Sequence, residues 1–210
     1  MPKIQAVLFD LDGTVADTAP DLAYAANSLR LADGVPPLSV EILRPLASQG
    51  ARGLLKEAVG LTPKDPGFEH ARLRFLSFYE HNLCVHTKLF PGIPQLLEGI
   101  EARGLPWGIV TNKVEFFALP LMNQLGLGQR CRITVGGDTT PHPKPAPDPL
   151  LHAARKLFRV CLVKTRQANK FNDFLCTLVA FFFLDAVHFK CVGNVVEHFA
   201  MGQQAKVLED

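Results

Sequence analysis

The sequence lacks the features that mark secreted, zinc-binding or membrane-spanning proteins. Its five cysteines are an odd number and form no Cys-x-x-Cys pair, which argues against a disulfide framework or a zinc site. The most apolar run, residues 174–184, has roughly half of the ~20 residues that a membrane helix needs. The N-terminus reaches its first carboxylates too soon for a signal peptide. We therefore expect a soluble, cytoplasmic protein with reduced thiols and no membrane partner.

A block of like charges is also missing. The 210 residues carry a formal net charge of +2, and both signs are spread along the chain. This pattern argues against a nucleic-acid surface. A chain of this length that is 48% hydrophobic can bury a full core, as one large domain or as a core with a smaller inserted domain.

Proline is absent from the last part of the chain, where the composition changes. All 16 prolines lie at or before Pro149. From about residue 158 onward phenylalanine is abundant, and the turn-forming glycines are only Gly193 and Gly202. We therefore treat residues 158–210 as an atypical C-terminal segment of uncertain fold. The abrupt switch suggests a frameshift, a gene fusion or a rearranged end.

The rest of the chain shows the periodicities of strands and helices. The patterns predict a buried strand at residues 4–9 and, after a turn, only helices over residues 17–33, 39–59 and 67–83. Helices and strands then alternate, at residues 92–103, 106–111, 114–125, 132–136 and 147–157. Alternation of this kind is typical of a parallel sheet wrapped by helices. We predict an α/β protein with a Rossmann-like core (residues 1–15 and 86–157) and an inserted helical module (residues 16–85).

One helix of that module carries an apolar stripe. Its members are Phe68, Leu73, Phe75, Leu76 and Tyr79. We interpret the stripe as a packed helix face rather than as a cofactor site.

Polar residues follow each of the three predicted strands. Asp10 and Asp12 end the first strand, Thr111 ends the second, and Lys144 lies in the loop after the third. In open α/β sheets the reactive groups lie beyond the carboxyl ends of the strands. We therefore expect these four side chains to form one site.

These residue types suit the handling of a phosphate. A carboxylate can attack phosphorus and form an aspartyl-phosphate. A second carboxyl group two residues away can give a proton to the leaving oxygen and later take one from water. A hydroxyl and an ammonium group can bind the phosphoryl oxygens as charge spreads over them. Carboxylates beside a phosphate call for a hard cation such as Mg²⁺.

Three short motifs resemble those of the haloacid dehalogenase superfamily. They are Phe9–Thr14 (FDLDGT), Val110–Lys113 (VTNK) and Pro143–Pro145 (PKP). Longer stretches are similar to bacterial phosphoglycolate phosphatases and to the related N-acetylmuramic acid 6-phosphate phosphatases: residues 14–22, 48–53, 89–92 and 136–145. The resemblance covers residues 1 to about 157.

The resemblance implies a role for each site residue. Asp10 is the nucleophile, Asp12 is the general acid and base, and Lys144 holds Asp10 and the phosphate charge. Thr111 and Asn112 bind the substrate. Mg²⁺ is bound by the Asp10 side chain and the Asp12 backbone carbonyl.

The resemblance also gives the inserted module a function. Residues 16–85 correspond to a mobile cap that closes over the substrate and excludes water. Within it, Arg52 is a candidate to bind a second anionic group of the substrate, because a guanidinium matches a carboxylate bidentately. A solvated arginine with no such role is the alternative.

The fourth motif of the superfamily, a Gly-Asp followed by further acidic residues, is missing where it is expected. Residues 168–173 (ANKFND) stand near that position, and residues 192–197 (VGNVVE) have only a faint likeness to it, about twenty residues too late. Asp173 and Asp185 are isolated carboxylates, and we interpret both as solvated side chains.

Four functions compete. A Mg²⁺-dependent phosphatase acting on a small phosphoester, with 2-phosphoglycolate favoured, is the first, and an inactive or crippled remnant of such an enzyme is the second. A phosphatase of a sugar phosphate such as N-acetylmuramic acid 6-phosphate is the third. A dehalogenase is disfavoured because Asp12 supplies an acid and base that a dehalogenase does not need.

The expected partner is a small phosphorylated metabolite, and the protein is expected to be a monomer or homodimer.

Overall fold

Strands and helices alternate through the second half of the described chain, as the sequence predicts. A computed structural model of the protein describes the backbone of residues 4–162 and the side chains of residues 4–157. In chain order the elements are β1 (Val7–Phe9), β2 (Ala16–Asp17), α1 (Ala19–Ala32), α2 (Val40–Leu43), a 3₁₀ helix (Arg44–Gln49), α3 (Gly50–Val59), α4 (Phe68–His81), β3 (Lys88–Leu89), α5 (Ile93–Ala102), β4 (Trp107–Val110), α6 (Glu115–Gln124), β5 (Thr134–Val135) and α7 (Asp148–Leu162).

Within residues 4–162, the central sheet has three parallel strands in the order β1-β4-β5. Phe9 lies opposite Ile109, and Val110 lies opposite Val135. All four residues of the middle strand, β4, are buried, as expected for a strand covered by helices on both faces. The α/β fold with a parallel sheet is therefore confirmed, and its strands end together where the polar residues follow.

The strands are shorter than the sequence predicts. The first predicted strand, 4–9, ends correctly at Phe9 but begins three residues too early, and the bounds 106–111 and 132–136 are each wrong by one or two residues. At the start of β1 the cause is Pro106. Val7 donates its backbone N–H to the Pro106 carbonyl at 3.1 Å, but proline has no N–H to continue the ladder. The β1–β4 ladder consequently begins at Val7.

Four α-helices and one 3₁₀ helix lie between β2 and β3, in the region predicted to be helical. The predicted helix 39–59 is wrong as one element, because a 3₁₀ helix containing Pro45 separates α2 from α3. Gly50, at φ 61°, then allows the chain to turn into α3. The pairing of β2 with β3, which joins Ala16 to Leu89, has no counterpart among the predicted strands, since two-residue strands carry no periodic signal. This pair joins the outgoing and returning ends of the helical module.

The apolar stripe on α4 is only partly confirmed. Phe68, Phe75 and Tyr79 are buried, but Leu73 is 56% exposed. Leu73 precedes Phe75 by two residues, which is about 200° around a helix, so it lies on the opposite face.

Asp21 anchors α1 to the chain that returns from the helical module. This carboxylate is fully buried, and it accepts hydrogen bonds from the backbone N–H of His86 at 2.9 Å and of Thr87 at 2.8 Å. The Thr87 hydroxyl donates a further bond at 2.7 Å. A buried carboxylate needs such donors, because burial removes the water that would otherwise solvate it. The base of the module is thereby held in place.

The last described helix, α7, packs against the sheet beside β4 and β5. Ala153 lies in a small apolar cluster with Val110 and Val135. The helix runs to Leu162, so the predicted end at residue 157 is wrong and the helix passes through the change in composition. The remaining predictions for the C-terminal segment lie outside the described residues. No helix among residues 4–162 is long and apolar enough to cross a membrane.

We expect Asp21→Asn to lower the free energy of unfolding by roughly 1.5–3 kcal/mol. The carboxamide is uncharged and turns an N–H₂ group toward buried donors that need an acceptor. Urea or thermal unfolding monitored by circular dichroism measures the loss. Asp33→Asn is the matched control: Asp33 is an exposed carboxylate just after α1, so its loss should change stability by less than about 0.5 kcal/mol. Equal effects of the two variants would contradict the anchoring role of Asp21.

Candidate active site

Two carboxylates stand in the turn that follows β1. The Leu11 backbone N–H donates to Asp10 Oδ1 at 2.7 Å. The Leu11 side chain is fully buried in the core, which fixes the turn in place. Gly13, at φ 77°, provides the left-handed conformation that closes the turn. The Asp10 side chain is 43% exposed and that of Asp12 only 18%. Asp10 is therefore the carboxylate more open to a ligand.

Lys144 approaches Asp10 from the loop after β5. Its ammonium lies 3.0 Å from Asp10 Oδ1 and donates to the Val110 carbonyl at 2.8 Å. The Asn112 side-chain amide donates to the Lys144 carbonyl at 3.1 Å. The structure thus brings together Asp10 and Lys144, which are far apart in sequence, as the positions of the strand ends predict.

Asp12 has its own lysine, Lys113, for which the sequence motifs predict no role. The Lys113 ammonium lies 3.1 Å from Asp12 Oδ1, and the Thr18 hydroxyl donates to the same oxygen at 2.7 Å. The buried Thr111 hydroxyl faces Asp12 Oδ2 at a long 3.4 Å and accepts a bond from the Lys113 backbone N–H at 3.1 Å. Thr111 therefore lies at the site as predicted. The sequence signal that could have identified Lys113 is its place as the last residue of the Val110–Lys113 motif.

Lys113 is also in contact with Tyr79 of α4. The Tyr79 hydroxyl accepts a hydrogen bond from the ammonium at 2.9 Å, and the ammonium lies 4.6 Å from the ring centroid. Burial by itself would lower the pKa of Lys113. The attraction of Asp12 and Tyr79 outweighs burial, so the pKa is raised and the side chain stays charged. No pattern in the sequence predicts this contact.

The loop that carries Lys144 is held by a second set of contacts at the start of α6. The Glu115 backbone N–H donates to Asp138 Oδ1 at 2.8 Å, and the Thr139 hydroxyl donates to the Glu115 carboxylate. Gly137 packs so tightly that a Cβ there would lie 2.3 Å from the Asn112 carbonyl oxygen. The glycine at this position allows the loop after β5 to contact the end of β4.

The structure does not bring Arg52 to this cluster by any hydrogen bond or ion pair with residues 4–157. Arg52 is exposed in the first turn of α3. Asn112 is exposed, and its side chain holds the Lys144 loop. Their substrate-binding roles remain predictions.

The acidic residues at the site fit one kind of metal ion. Within the described part of the chain, no group of three or more His, Cys, Asp and Glu residues could enclose a metal. Mg²⁺ does not require such a cage, since it keeps several waters and commonly takes one or two carboxylates together with the phosphate of its substrate. The half-exposed Asp10 carboxylate and the turn at Asp12 match that donor set. The positions considered for the fourth motif, residues 168–173 and 192–197, lie outside the described residues.

Two carboxylates and two ammonium groups together make a site of balanced charge. Each carboxylate is paired with a lysine from a different strand end, and Asp10 retains exposed surface. Such an arrangement presents a nucleophilic oxygen beside a fixed positive charge, with a second carboxylate two residues away that can carry a proton. These are the groups that transfer of a phosphoryl group to a carboxylate requires.

Comparisons with known proteins agree with this chemistry. The family of haloacid dehalogenase-like hydrolases matches residues 4–163. An N-acetylmuramic acid 6-phosphate phosphatase of Pseudomonas aeruginosa is 43% identical over 155 residues, which are 74% of this chain and 69% of the relative. A phosphoglycolate phosphatase of Xanthomonas campestris pv. campestris is 42% identical over 154 residues, 73% of this chain and 69% of the relative.

A solved structure resembles the described fold as well. The crystal structure of a predicted phosphoglycolate phosphatase from Haemophilus somnus 129PT is 28% identical and superimposes with a TM-score of 0.65. The match covers 74% of this chain and 72% of that one. The predicted resemblance is confirmed, and the family match extends six residues beyond the predicted limit at residue 157.

We expect Gly137→Ala to lower the free energy of unfolding by about 1–3 kcal/mol, because the new methyl group would overlap the Asn112 carbonyl. Thermal unfolding checks this. Gly67→Ala is the matched control: its Cβ would meet only the Leu61 side chain, at 3.7 Å. That change should be neutral or stabilise by roughly 0.4–1 kcal/mol. A Gly137→Ala variant as stable as the control would show that the loop does not depend on this close approach.

Proposed function

The chain belongs to the family of haloacid dehalogenase-like hydrolases, and from that premise we propose that it is a phosphatase of small phosphoesters that works through an aspartyl-phosphate on Asp10. The observation that carries the proposal is the pairing of the exposed Asp10 carboxylate with the Lys144 ammonium at 3.0 Å. A carboxylate held by a lysine and still open to solvent can bind and attack a phosphoryl group. Relatives named as phosphatases support the reaction class.

In the first step, an oxygen of Asp10 attacks phosphorus, and the bond from phosphorus to the ester oxygen breaks. Asp12 gives its proton to that departing oxygen, so an alcohol leaves and the phosphoryl group remains on Asp10. Among the described residues Asp12 Oδ2 has only the long contact with Thr111, so it is the oxygen that is freer to exchange a proton with the substrate. Lys144 stabilises the charge that spreads over the phosphoryl oxygens.

In the second step, a water molecule attacks the phosphorus of the aspartyl-phosphate. Asp12, now a carboxylate, takes a proton from that water. The bond from phosphorus to the Asp10 oxygen breaks, inorganic phosphate leaves, and Asp10 is again a free carboxylate, while Asp12 keeps the proton that it gives to the next leaving oxygen. The Thr111 hydroxyl, at the end of β4, binds phosphoryl oxygens in both steps.

We propose that Mg²⁺ is the cofactor. The Asp10 carboxylate and the Asp12 backbone carbonyl would hold it, with the substrate phosphate and water as further ligands. The ion would supply positive charge that lets the carboxylate approach the phosphate dianion.

We propose 2-phosphoglycolate as the favoured substrate and N-acetylmuramic acid 6-phosphate as the second candidate. Relatives with each name match this chain almost equally, at 42% and 43% identity. Both esters carry a carboxylate, and Arg52 on the exposed face of α3 is the proposed partner for it. This assignment treats residues 16–85 as a cap that closes over a core formed by residues 1–15 and 86–157.

We expect the protein to release phosphate from 2-phosphoglycolate in the presence of Mg²⁺ and not after chelation with EDTA. Asp10→Asn should lower kcat by about a thousandfold or more, because the amide is not a nucleophile. A malachite green assay of released phosphate measures both. Asp33→Asn, which changes an exposed carboxylate on the helical module in the same way, should keep full activity.

The assay also separates the alternatives. A higher kcat/KM for N-acetylmuramic acid 6-phosphate would favour the second substrate over the first. Folded protein that releases no phosphate from either ester or from a broad panel of phosphoesters would contradict the proposed function and favour an inactive remnant of the family.

A further inference from the structure

Tyr79 is buried at the site, yet the proposed reaction gives it no part. It lies on α4 of the helical module, is 1% exposed, and contacts Lys113, which follows β4 of the sheet. The chain has only one other tyrosine, Tyr24, which is 49% exposed on α1. A phenol in an apolar helix face needs a polar partner, and here that partner is a buried ammonium group.

The ammonium of Lys113 is held from two sides. The Tyr79 hydroxyl accepts one of its N–H bonds at 2.9 Å, and Asp12 Oδ1 lies at 3.1 Å. The face of the Tyr79 ring, 4.6 Å from the nitrogen, adds a cation–π attraction. The Lys113 side chain is only 8% exposed, so water cannot replace these partners easily. Because a lysine side chain is long and flexible, fixed acceptors decide where its charge lies.

Tyr79 itself is immobilised by aromatic neighbours. Its ring stacks on Phe75 at 6.4 Å with an interplanar angle of 8°, and meets the edge of Phe117 at 5.4 Å and 60°. Phe75 is on α4 and Phe117 is on α6, so the ring lies between the helical module and the core. Burial raises the pKa of the Tyr79 phenol, which therefore remains protonated and neutral.

We propose that Tyr79 is a positioning residue: it fixes the ammonium of Lys113 and, through it, the carboxylate of Asp12 for proton transfer. This inference rests on the proposed function, in which Asp12 is the acid and base. It also connects the helical module to the acid and base of the reaction, because α4 carries Tyr79, Tyr79 contacts Lys113, and Lys113 contacts Asp12. The hydrogen bond to the Tyr79 hydroxyl sets the direction of the Lys113 ammonium, which the ring alone would not do.

Tyr79→Phe tests the hydroxyl while keeping the ring, its aromatic contacts and its cation–π contact. We expect kcat for 2-phosphoglycolate to fall about 3- to 10-fold, as loss of one hydrogen bond would produce. KM should stay within about twofold, because the proposed role of Tyr79 lies in proton transfer and not in substrate binding. Tyr24→Phe, the same change at an exposed site, should leave both constants unaltered. Unchanged kcat in Tyr79→Phe would overturn the inference.

A double-mutant cycle with Lys113→Met asks whether Tyr79 acts through Lys113. If it does, adding Tyr79→Phe to Lys113→Met should cause no further loss of kcat. A full additional loss of about 3- to 10-fold in that background would overturn the inference, because Tyr79 would then act by another route.

A spectroscopic measurement separates this inference from the proposed function. In a Tyr24→Phe background, Tyr79 is the only tyrosine, and tyrosine labelled with ¹³C at Cζ gives one NMR signal. Lys113→Met should shift that signal, since the hydroxyl loses its hydrogen-bond donor. If the protein is active but Lys113→Met leaves the Tyr79 signal unshifted, this inference is overturned and the proposed function is not. A wild-type protein that releases no phosphate, with the expected shift present, would overturn the proposed function and with it the kinetic role of Tyr79.

Discussion

Two carboxylates two residues apart at the end of one strand repel each other, and the site depends on how that repulsion is offset. Like charges repel more strongly where burial lowers the effective dielectric constant. The structure provides a separate lysine for each acid: Lys144 lies 3.0 Å from Asp10, and Lys113 lies 3.1 Å from Asp12. The pairs differ in exposure. The half-exposed Asp10 can meet a ligand, whereas Asp12 lies deeper among Lys113, Thr18 and Thr111.

The parallel sheet makes this pairing possible. The two aspartates follow β1, Lys113 follows β4, and Lys144 lies in the loop after β5, so residues far apart in sequence meet at one edge. Tight packing at Gly137 lets the last of these loops reach the end of β4. The helical module, whose base is anchored by Asp21, brings Tyr79 to Lys113. Core and module therefore both contribute to the surroundings of Asp12.

Much of this arrangement could be predicted from the sequence, for a physical reason. Periodicity identifies strands, and the ends of parallel strands converge, so the sequence alone groups Asp10, Asp12, Thr111 and Lys144 into one site. The contact between Tyr79 and Lys113 could not be predicted, because a tyrosine in an apolar helical stripe looks like any packed residue. The ends of the strands could not be predicted either, because they depend on the neighbouring strand: β1 begins at Val7 since Pro106 opposite it has no N–H to extend the ladder.

Chemical trapping of the covalent intermediate would show whether Asp10 is the nucleophile. Borohydride reduces an aspartyl-phosphate to homoserine and leaves a free carboxylate unchanged. We predict that protein quenched with borohydride while it turns over 2-phosphoglycolate with Mg²⁺ contains homoserine at position 10, located by peptide mass spectrometry, and that Asp10→Asn protein does not. Homoserine at another aspartate, or none in protein that actively releases phosphate, would contradict the assignment of Asp10 as the nucleophile.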